Sequence, residues 1–304
     1  MNISEKVVGL SAFRPAAWVR VTGEDALDFL QSQVTQDLRI LKAQGVAYGL
    51  WLSQKGRVLA DSLFFKASDH EFFILSYRCP SSFFVERMES YIVADDVVVQ
   101  DLSLQCEGMT AWGETAIDRV LEASGFSEHS EKFHPWQGGF LFKGRRGANA
   151  HLEWIGEKLP HLLDWAAGPT IDAECVERER ILSGLPSVPD DIGPGELPNE
   201  GGLEDSAISY VKGCYLGQET MARLKAMGQI RRKLMRVVGD GVRPPRGPRP
   251  LYQGDKRVGE LRSTASLPTG GYVGFALVML LGFEPARGFS LEPAASETLR
   301  VLQT

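Results

Sequence analysis

The side chain with the greatest chemical potential lies in a short segment bounded by glycines. Cys214 follows Lys212 by two residues and precedes a helix that we predict over 218–225. An ammonium group and a helix N-terminus both favour the thiolate form of a cysteine, which is a nucleophile and a metal ligand. Gly213 and Gly217 permit tight turns and close approach of a ligand. The residues alone also allow a plainer interpretation, a buried cysteine in a tight turn.

Carboxylates could also bind a ligand, and Glu219 could accept from the amino-pyrimidinone edge of a pterin or guanine. Glu219 falls in the first turn of the predicted helix beside Gln218, and Glu200 belongs to a loop. A carboxylate accepts two parallel hydrogen bonds from such an edge. Glu219 could instead complement the helix dipole, and Glu200 could be a solvated loop acid. Asp61 shares a strand face with Leu63 and is either a ligand-site residue or a structural carboxylate.

Strands and helices in irregular order must position these residues. We predict strands at 18–21, 48–52, 57–65, 71–77, 97–100, 108–112 and 151–155, and helices at 22–38, 81–92, 115–124 and 171–182, the last with Thr170 as its N-cap. The absence of regular βαβ repetition favours an α+β fold. From Leu185 to Gly202 the chain is rich in Pro, Gly and acids, which indicates a long functional loop.

The last part of the chain has a different pattern, and 304 residues favour two domains. After Arg223 short strands (233–238, 256–263, 272–281, 299–302) alternate with Gly/Pro turns, and helical periodicity disappears. This pattern predicts a small β-barrel or sandwich. We place the boundary near Gly228, with domains at 1–228 and 229–304.

Composition excludes several classes of protein. A net charge of −6 argues against a phosphate-driven nucleic-acid binder, although the basic runs 231–233 and 243–250 leave a non-catalytic RNA-binding module as a minor alternative. The 243–250 run itself reads as a stiff Pro-rich loop. Four widely spaced cysteines indicate neither a disulfide framework nor a metal site. Without a signal peptide, a membrane-length apolar stretch or heptads, we expect a cytoplasmic monomer.

The segment 212–219, Lys-Gly-Cys-Tyr-Leu-Gly-Gln-Glu, resembles the signature K-G-C-[FY]-x-G-Q-E of the YgfZ group of proteins. Weaker similarities to that group occur at 29–37, 56–61, 180–186, 197–200, 258–263 and 274–277, so the resemblance covers nearly the whole chain. It implies a fold like the glycine-cleavage T-protein, with a folate-binding α+β body, ferredoxin-like subdomains (an insertion at about 46–104) and a C-terminal β-barrel.

The resemblance also implies a function and a set of site residues. Tetrahydrofolate would lie in a central channel, and the protein would assist assembly or repair of iron–sulfur clusters in client proteins, including enzymes that modify tRNA. Cys214 and Asp61 would be the catalytic residues, whereas the cofactor-binding residues would be Glu200, Lys212, Gln218, Glu219 and Arg223. Whether a cluster sits transiently on Cys214 stays open.

The T-protein itself is an aminomethyltransferase, which raises a second function. Its motif on the second strand has two adjacent aspartates, whereas this chain has Ala60 before Asp61. One carboxylate would remain to position or polarise a folate nitrogen. This departure argues against amine-group transfer but leaves a tetrahydrofolate-dependent aminomethyl or methyl transferase as the alternative.

Overall fold

Alternating apolar residues build three five-stranded antiparallel sheets in the computed structural model, which describes residues 7–126, 132–159 and 169–302. The strands are β1 (Gly9–Phe13), β2 (Ala17–Thr22), β3 (Gly45–Leu52), β4 (Val58–Ser68), β5 (Glu71–Ser76), β6 (Val98–Asp101), β7 (Glu107–Trp112), β8 (His134–Trp136), β9 (Gly139–Phe142), β10 (His151–Gly156), β11 (Arg232–Gly239), β12 (Arg249–Gln253), β13 (Lys256–Ser266), β14 (Tyr272–Met279) and β15 (Leu299–Val301). The helices are α1 (Ala26–Gln33), α2 (Ser81–Glu89), α3 (Glu114–Ser124), α4 (Ala173–Leu182), α5 (Glu204–Ala207) and α6 (Gln218–Met227). None of these described helices is long and apolar enough to cross a membrane.

The first two sheets pack against each other through aromatic residues. Sheet one has the order β3-β4-β5-β2-β6, and sheet two has the order β1-β7-β10-β9-β8. Trp18 of β2 stacks on Phe73 of β5 at 5.1 Å between ring centroids, and both contact Phe140 of β9. Tilted and edge-to-face aromatic pairs of this kind stabilise a core beyond their buried area. The opposite face of sheet one covers the largest buried cluster, with α1 and α2.

The third sheet, β12-β13-β14-β11-β15, curls on itself. Phe289 forms a bridge with Leu299 of β15, and the next residue, Ser290, forms one with Tyr252 of β12, so this segment joins the two edge strands. Joining the edges removes unpaired strand surface. The α+β class with a curled C-terminal sheet is therefore confirmed. The domain boundary stays a prediction; α6 ends at Met227 and β11 begins at Arg232.

Three local predictions were wrong. The first helix ends at Gln33 because Val34 bridges Trp51 of β3 and the Thr35 N–H donates to the Leu50 carbonyl. The N-cap of α4 is Asp172, whose carboxylate accepts the Cys175 N–H at 2.7 Å, and not Thr170. The Pro-rich run 243–250 is not entirely loop, since β12 begins at Arg249.

Candidate functional site

A cavity of about 820 Å³ opens where all three sheets meet. Sheet one contributes Tyr48, Asp61 and Leu63, and sheet two contributes Phe13. The remaining walls come from the loop after β9, from α4, from the loop 186–190, from the segment 246–248 just before β12, and from residues 262–264 of β13. Large ligand sites usually form at such junctions between structural units.

Strand alternation places the central carboxylate of this cavity. Tyr48 of β3 pairs with Leu63 of β4, and Asp61 lies two residues before Leu63 on the same face. The Tyr48 hydroxyl donates to Asp61 Oδ2 at 3.0 Å. The only other side-chain hydrogen bond to this carboxylate within the described chain is weak, from Cys79 Sγ to Oδ1 at 3.8 Å. Oδ1 therefore keeps capacity to accept from a ligand.

Burial changes the acid–base behaviour of this cluster. Removal from bulk water raises the pKa of Asp61 from 3.8 to about 6, against the opposing effects of the Tyr48 hydrogen bond and the Arg145 charge. Burial and the Asp61 charge raise the pKa of the Cys79 thiol to about 12. Burial also raises the pKa of Tyr48 well above its usual 10, so its hydroxyl stays protonated and donates.

Ion pairs under the cavity hold the wall formed by residues 186–190. Arg180 of α4 is buried and donates to Asp191 at 2.7 Å and to Glu177 at 2.6 Å. Asp191 also accepts the Ser187 N–H at 2.8 Å. Such a buried pair is costly to break because one charge would be left without a partner. The predicted functional loop thus has a fixed conformation where it lines the cavity.

A second row of polar side chains in contact with one another leads from the cavity into sheet two. The Tyr77 hydroxyl donates to Glu153 Oε2 at 2.9 Å, and the completely buried Glu153 places Oε1 3.5 Å from His151 Nε2. His151 stacks on Trp112 with 4.8 Å between ring centroids. Burial, and then the Glu153 charge, raise the pKa of Tyr77 well above its usual value, so this hydroxyl also remains a donor.

The Lys-Gly-Cys segment lies elsewhere, against the C-terminal end of α1. The Lys212 ammonium is buried and donates to the backbone carbonyls of Gln31 (2.7 Å), Val34 (2.8 Å) and Gln36 (2.8 Å). An ammonium has three donors, so none is left for a ligand. Desolvation lowers the pKa of Lys212 to about 8. The ammonium therefore has a structural role in this structure, and the cofactor contact of Lys212 stays a prediction.

The rest of the segment packs a turn while exposing its thiol. A Cβ on Gly217, whose φ is +87°, would lie 2.7 Å from the Ser53 carbonyl oxygen and 3.1 Å from Gly56 Cα. Tyr215 is buried, whereas Cys214 is exposed. The helix predicted after it is confirmed as α6. The signature therefore fixes a loop that presents Cys214 to solvent.

The remaining predicted ligands are engaged with other protein groups. Glu200 accepts from Arg232 Nε and Nη2, both at 2.9 Å, and Oε2 also accepts the Leu197 N–H at 2.8 Å. Glu219 is 89% exposed and pairs with Arg223, which is 72% exposed. The amide of Gln218 contacts the Lys212 carbonyl at 3.4 Å.

Of the seven predicted site residues, all of which the structure describes, Asp61 alone lines the cavity. Binding roles for the others stay predictions. Sequence reasoning missed Tyr48, Tyr77, Arg145 and Arg146, which share the cavity with Asp61. A signal existed for the arginines, since Gly144-Arg145-Arg146-Gly147 lies between two strands. Among the described residues, no group of three or more His, Cys, Asp or Glu could hold a metal ion.

Comparison with known proteins identifies a matching domain and a solved structure of similar fold. The GCVT N-terminal domain matches residues 3–141. The glycine cleavage system aminomethyltransferase T from Bartonella henselae superposes with a TM-score of 0.79 and 18% identity, covering 97% of this chain and 86% of that one. The chain has the T-protein fold, and its residues 3–141 match the GCVT N-terminal domain. The resemblance stated from the sequence is confirmed at this level.

Two groups of curated relatives are similar to this chain in sequence. The iron–sulfur cluster assembly factor IBA57 homolog, mitochondrial, of Cryptococcus neoformans is 25% identical over 72% of this chain, and its human counterpart is 27% identical over 72%. An aminomethyltransferase of Bacillus cytotoxicus is 23% identical over 83% of this chain and 73% of its own length. The chain spans 63% of the length of the two IBA57 relatives.

Proposed function

We propose that this T-protein-like chain binds tetrahydrofolate in the cavity and acts in assembly or repair of iron–sulfur clusters through Cys214. Its clients would be cluster enzymes, such as those that modify tRNA. The names of the IBA57 relatives support the cluster role, and the fold supports the folate site. A cytoplasmic location is also proposed, and the two IBA57 relatives, which are named as mitochondrial, do not support it.

The observation that carries the proposal is the desolvated carboxylate of Asp61 in a cavity of about 820 Å³. A pterin presents neighbouring N–H donors, and a half-buried carboxylate with an unused acceptor position binds such donors well. The aromatic rings of Phe13 and Tyr77 also line the cavity and provide apolar surface for the ligand rings. When bound, tetrahydrofolate supplies nitrogens that carry one-carbon units.

The exposure of Cys214 supports a role that depends on contact with other proteins. A thiol on the surface, in a loop fixed by Lys212 and Gly217, is accessible to a client, whereas Cys79 and Cys106 are buried. Burial raises the pKa of both of those thiols to about 12, so neither forms a thiolate near neutral pH. Cys214 is therefore the cysteine best placed to act on a cluster or on a client.

A genetic test isolates the sulfur. In a strain that lacks the protein, Cys214→Ser should fail to restore the activity of cluster enzymes, whereas Cys175→Ser, on helix α4, should restore it. Cys214→Ser should keep the thermal unfolding midpoint of the wild type, because Cys214 is exposed. Full rescue by Cys214→Ser would remove the thiol from the mechanism.

The alternative function is a tetrahydrofolate-dependent aminomethyl or methyl transferase, and the identity to aminomethyltransferases favours it. Asp61 would then position or polarise a folate nitrogen. Turnover of tetrahydrofolate with a one-carbon donor, abolished by Asp61→Ala, would support transfer. Purified protein saturated with tetrahydrofolate that shows no turnover with one-carbon donors would count against it.

A further inference from the structure

The loop between β9 and β10 places two arginines on the cavity wall. Arg145 lies over the ring of Tyr48 with its Cζ 3.9 Å from the ring centroid. Arg146 lies over Phe13 at 4.4 Å and near Tyr77 at 5.7 Å. Stacking of this kind holds a guanidinium by its faces, so that its N–H donors in the plane of the group can point to other partners.

These two cations differ from most other arginines of the cavity. Neither Arg145 nor Arg146 has a carboxylate within 4.0 Å among residues 7–126, 132–159 and 169–302; their side chains contact hydroxyl groups at 3.4 and 3.1 Å. The neutralised arginines of the wall are Arg14 with Glu107, Arg78 with Glu177 and Asp190, Arg180 with Glu177 and Asp191, and Arg262 with Glu196 and Glu260. Arg145 and Arg146 therefore face the cavity without an ion-pair partner in the described chain, although the Arg145 charge acts at longer range on Asp61.

Side chains from other parts of the fold hold the backbone of this loop. Four of its N–H groups donate to them: Arg145 to Tyr77 Oη (3.3 Å), Arg146 to His151 Nε2 (3.4 Å), Ala148 to Ser183 Oγ (2.6 Å) and Asn149 to Glu179 Oε1 (3.3 Å). Gly144 fits closely, since a Cβ there would lie 1.7 Å from Glu153 Oε1. The loop is therefore fixed before any ligand arrives, which lowers the entropic cost of binding.

Tyr77 and Glu153 connect the arginines to the core. The Tyr77 hydroxyl accepts from the Arg145 N–H and donates to Glu153, whose side chain is completely buried. His151 lies against the same carboxylate and accepts from the Arg146 N–H. The backbone N–H groups of both arginines thus donate to side chains, Tyr77 and His151, that contact the same buried carboxylate of Glu153. These side chains therefore position the two arginines.

We propose that Arg145 and Arg146 form an anion subsite that binds the glutamate carboxylates of the folate ligand. The inference rests on the proposed function, because it assigns the charged end of the same ligand. Guanidinium groups bind carboxylates through paired, charge-assisted hydrogen bonds. Asp61 accepts hydrogen bonds from the N–H donors of the pterin, and the two arginines donate hydrogen bonds to the carboxylates.

The test compares two ligands of the same shape by isothermal titration calorimetry on the full chain. One is tetrahydrofolate, and the other is its diamide, in which both glutamate carboxylates are replaced by neutral amides. We expect the wild type to bind tetrahydrofolate at least tenfold more tightly than the diamide, since each charge-assisted bond contributes roughly a factor of ten. Arg145→Gln and Arg146→Gln should each weaken tetrahydrofolate about tenfold and change diamide binding less than about twofold.

Arg39→Gln is the matched control, because Arg39 is exposed and paired with Asp28 outside the cavity. It should leave both affinities unchanged. Arg146→Lys keeps the charge and should recover part of the discrimination, which a loss of folding would not allow. Equal binding of both ligands by the wild type would overturn the subsite alone. Absence of tetrahydrofolate binding by the wild type would overturn the proposed function, and the subsite with it.

Discussion

Replacing Asp61 by Asn should stabilise the folded protein and weaken tetrahydrofolate binding. The carboxylate is held at a pKa of about 6 because burial disfavours its charged form. Asn has nearly the same shape and no charge, so it removes the desolvation cost. It also keeps a carbonyl oxygen that can accept from the Tyr48 hydroxyl. The same change removes the charged acceptor that we assign to the pterin.

The size of the gain follows from the pKa shift. In the unfolded chain the pKa returns to 3.8, so the difference from the folded value of about 6 corresponds to about 3 kcal/mol at pH 7.5. The folded pKa is raised, so the penalty on the wild type is complete only well above pH 6 and disappears only well below pH 3.8. The advantage of Asp61→Asn should therefore fall to about 0.6 kcal/mol at pH 4.

Urea unfolding of wild type and Asp61→Asn at pH 7.5, 6, 5 and 4 measures this difference directly. Asp28→Asn is the control, because Asp28 is 71% exposed and should change the free energy of unfolding by less than about 0.5 kcal/mol at every pH. A destabilised Asp61→Asn at pH 7.5 would refute the reasoning. So would a gain that does not shrink as the pH falls.

Two further substitutions test the segments around the site. Lys212→Met should lower the free energy of unfolding by about 3 kcal/mol, since three carbonyl oxygens lose their donor. Glu219→Ala, the control, should change it by less than about 0.5 kcal/mol. Urea unfolding measures both changes, and equal effects would contradict the structural role of the Lys212 ammonium. Gly144→Ala should lower the free energy of unfolding by about 2 kcal/mol and weaken tetrahydrofolate binding, because the added methyl group would collide with Glu153. Gly213→Ala, where the methyl group has open space, should leave both unchanged. If Gly144→Ala changes neither unfolding nor calorimetric binding, the loop is not tightly fixed.

The sequence predicted most of the scaffold because local pattern determines it. The hairpin of β3 and β4 around 53–56 follows from alternation and a turn glycine, and that alternation also placed Asp61 and Leu63 on one face. The first helix was predicted too long because Val34 has helical spacing but pairs with Trp51 instead. Tertiary pairing overrode periodicity there.

The composition of the cavity could not be predicted in the same way. Its walls come from segments that are distant in sequence, such as Asp61, Arg145 and Arg180, and only the packing of three sheets brings them together. Sequence proximity also does not reveal which groups the Lys212 ammonium contacts. Lys212 lies two residues from Cys214, yet its ammonium is directed to the end of α1, because carbonyl groups there lack donors.

The most direct test of the folate site is a calorimetric titration of tetrahydrofolate into three proteins: wild type, Asp61→Asn and Asp28→Asn. We predict one-to-one binding of equal affinity for wild type and Asp28→Asn, and binding at least tenfold weaker for Asp61→Asn, whose fold is the more stable. No binding to the wild type, or the same affinity in all three, would contradict a folate site built around Asp61.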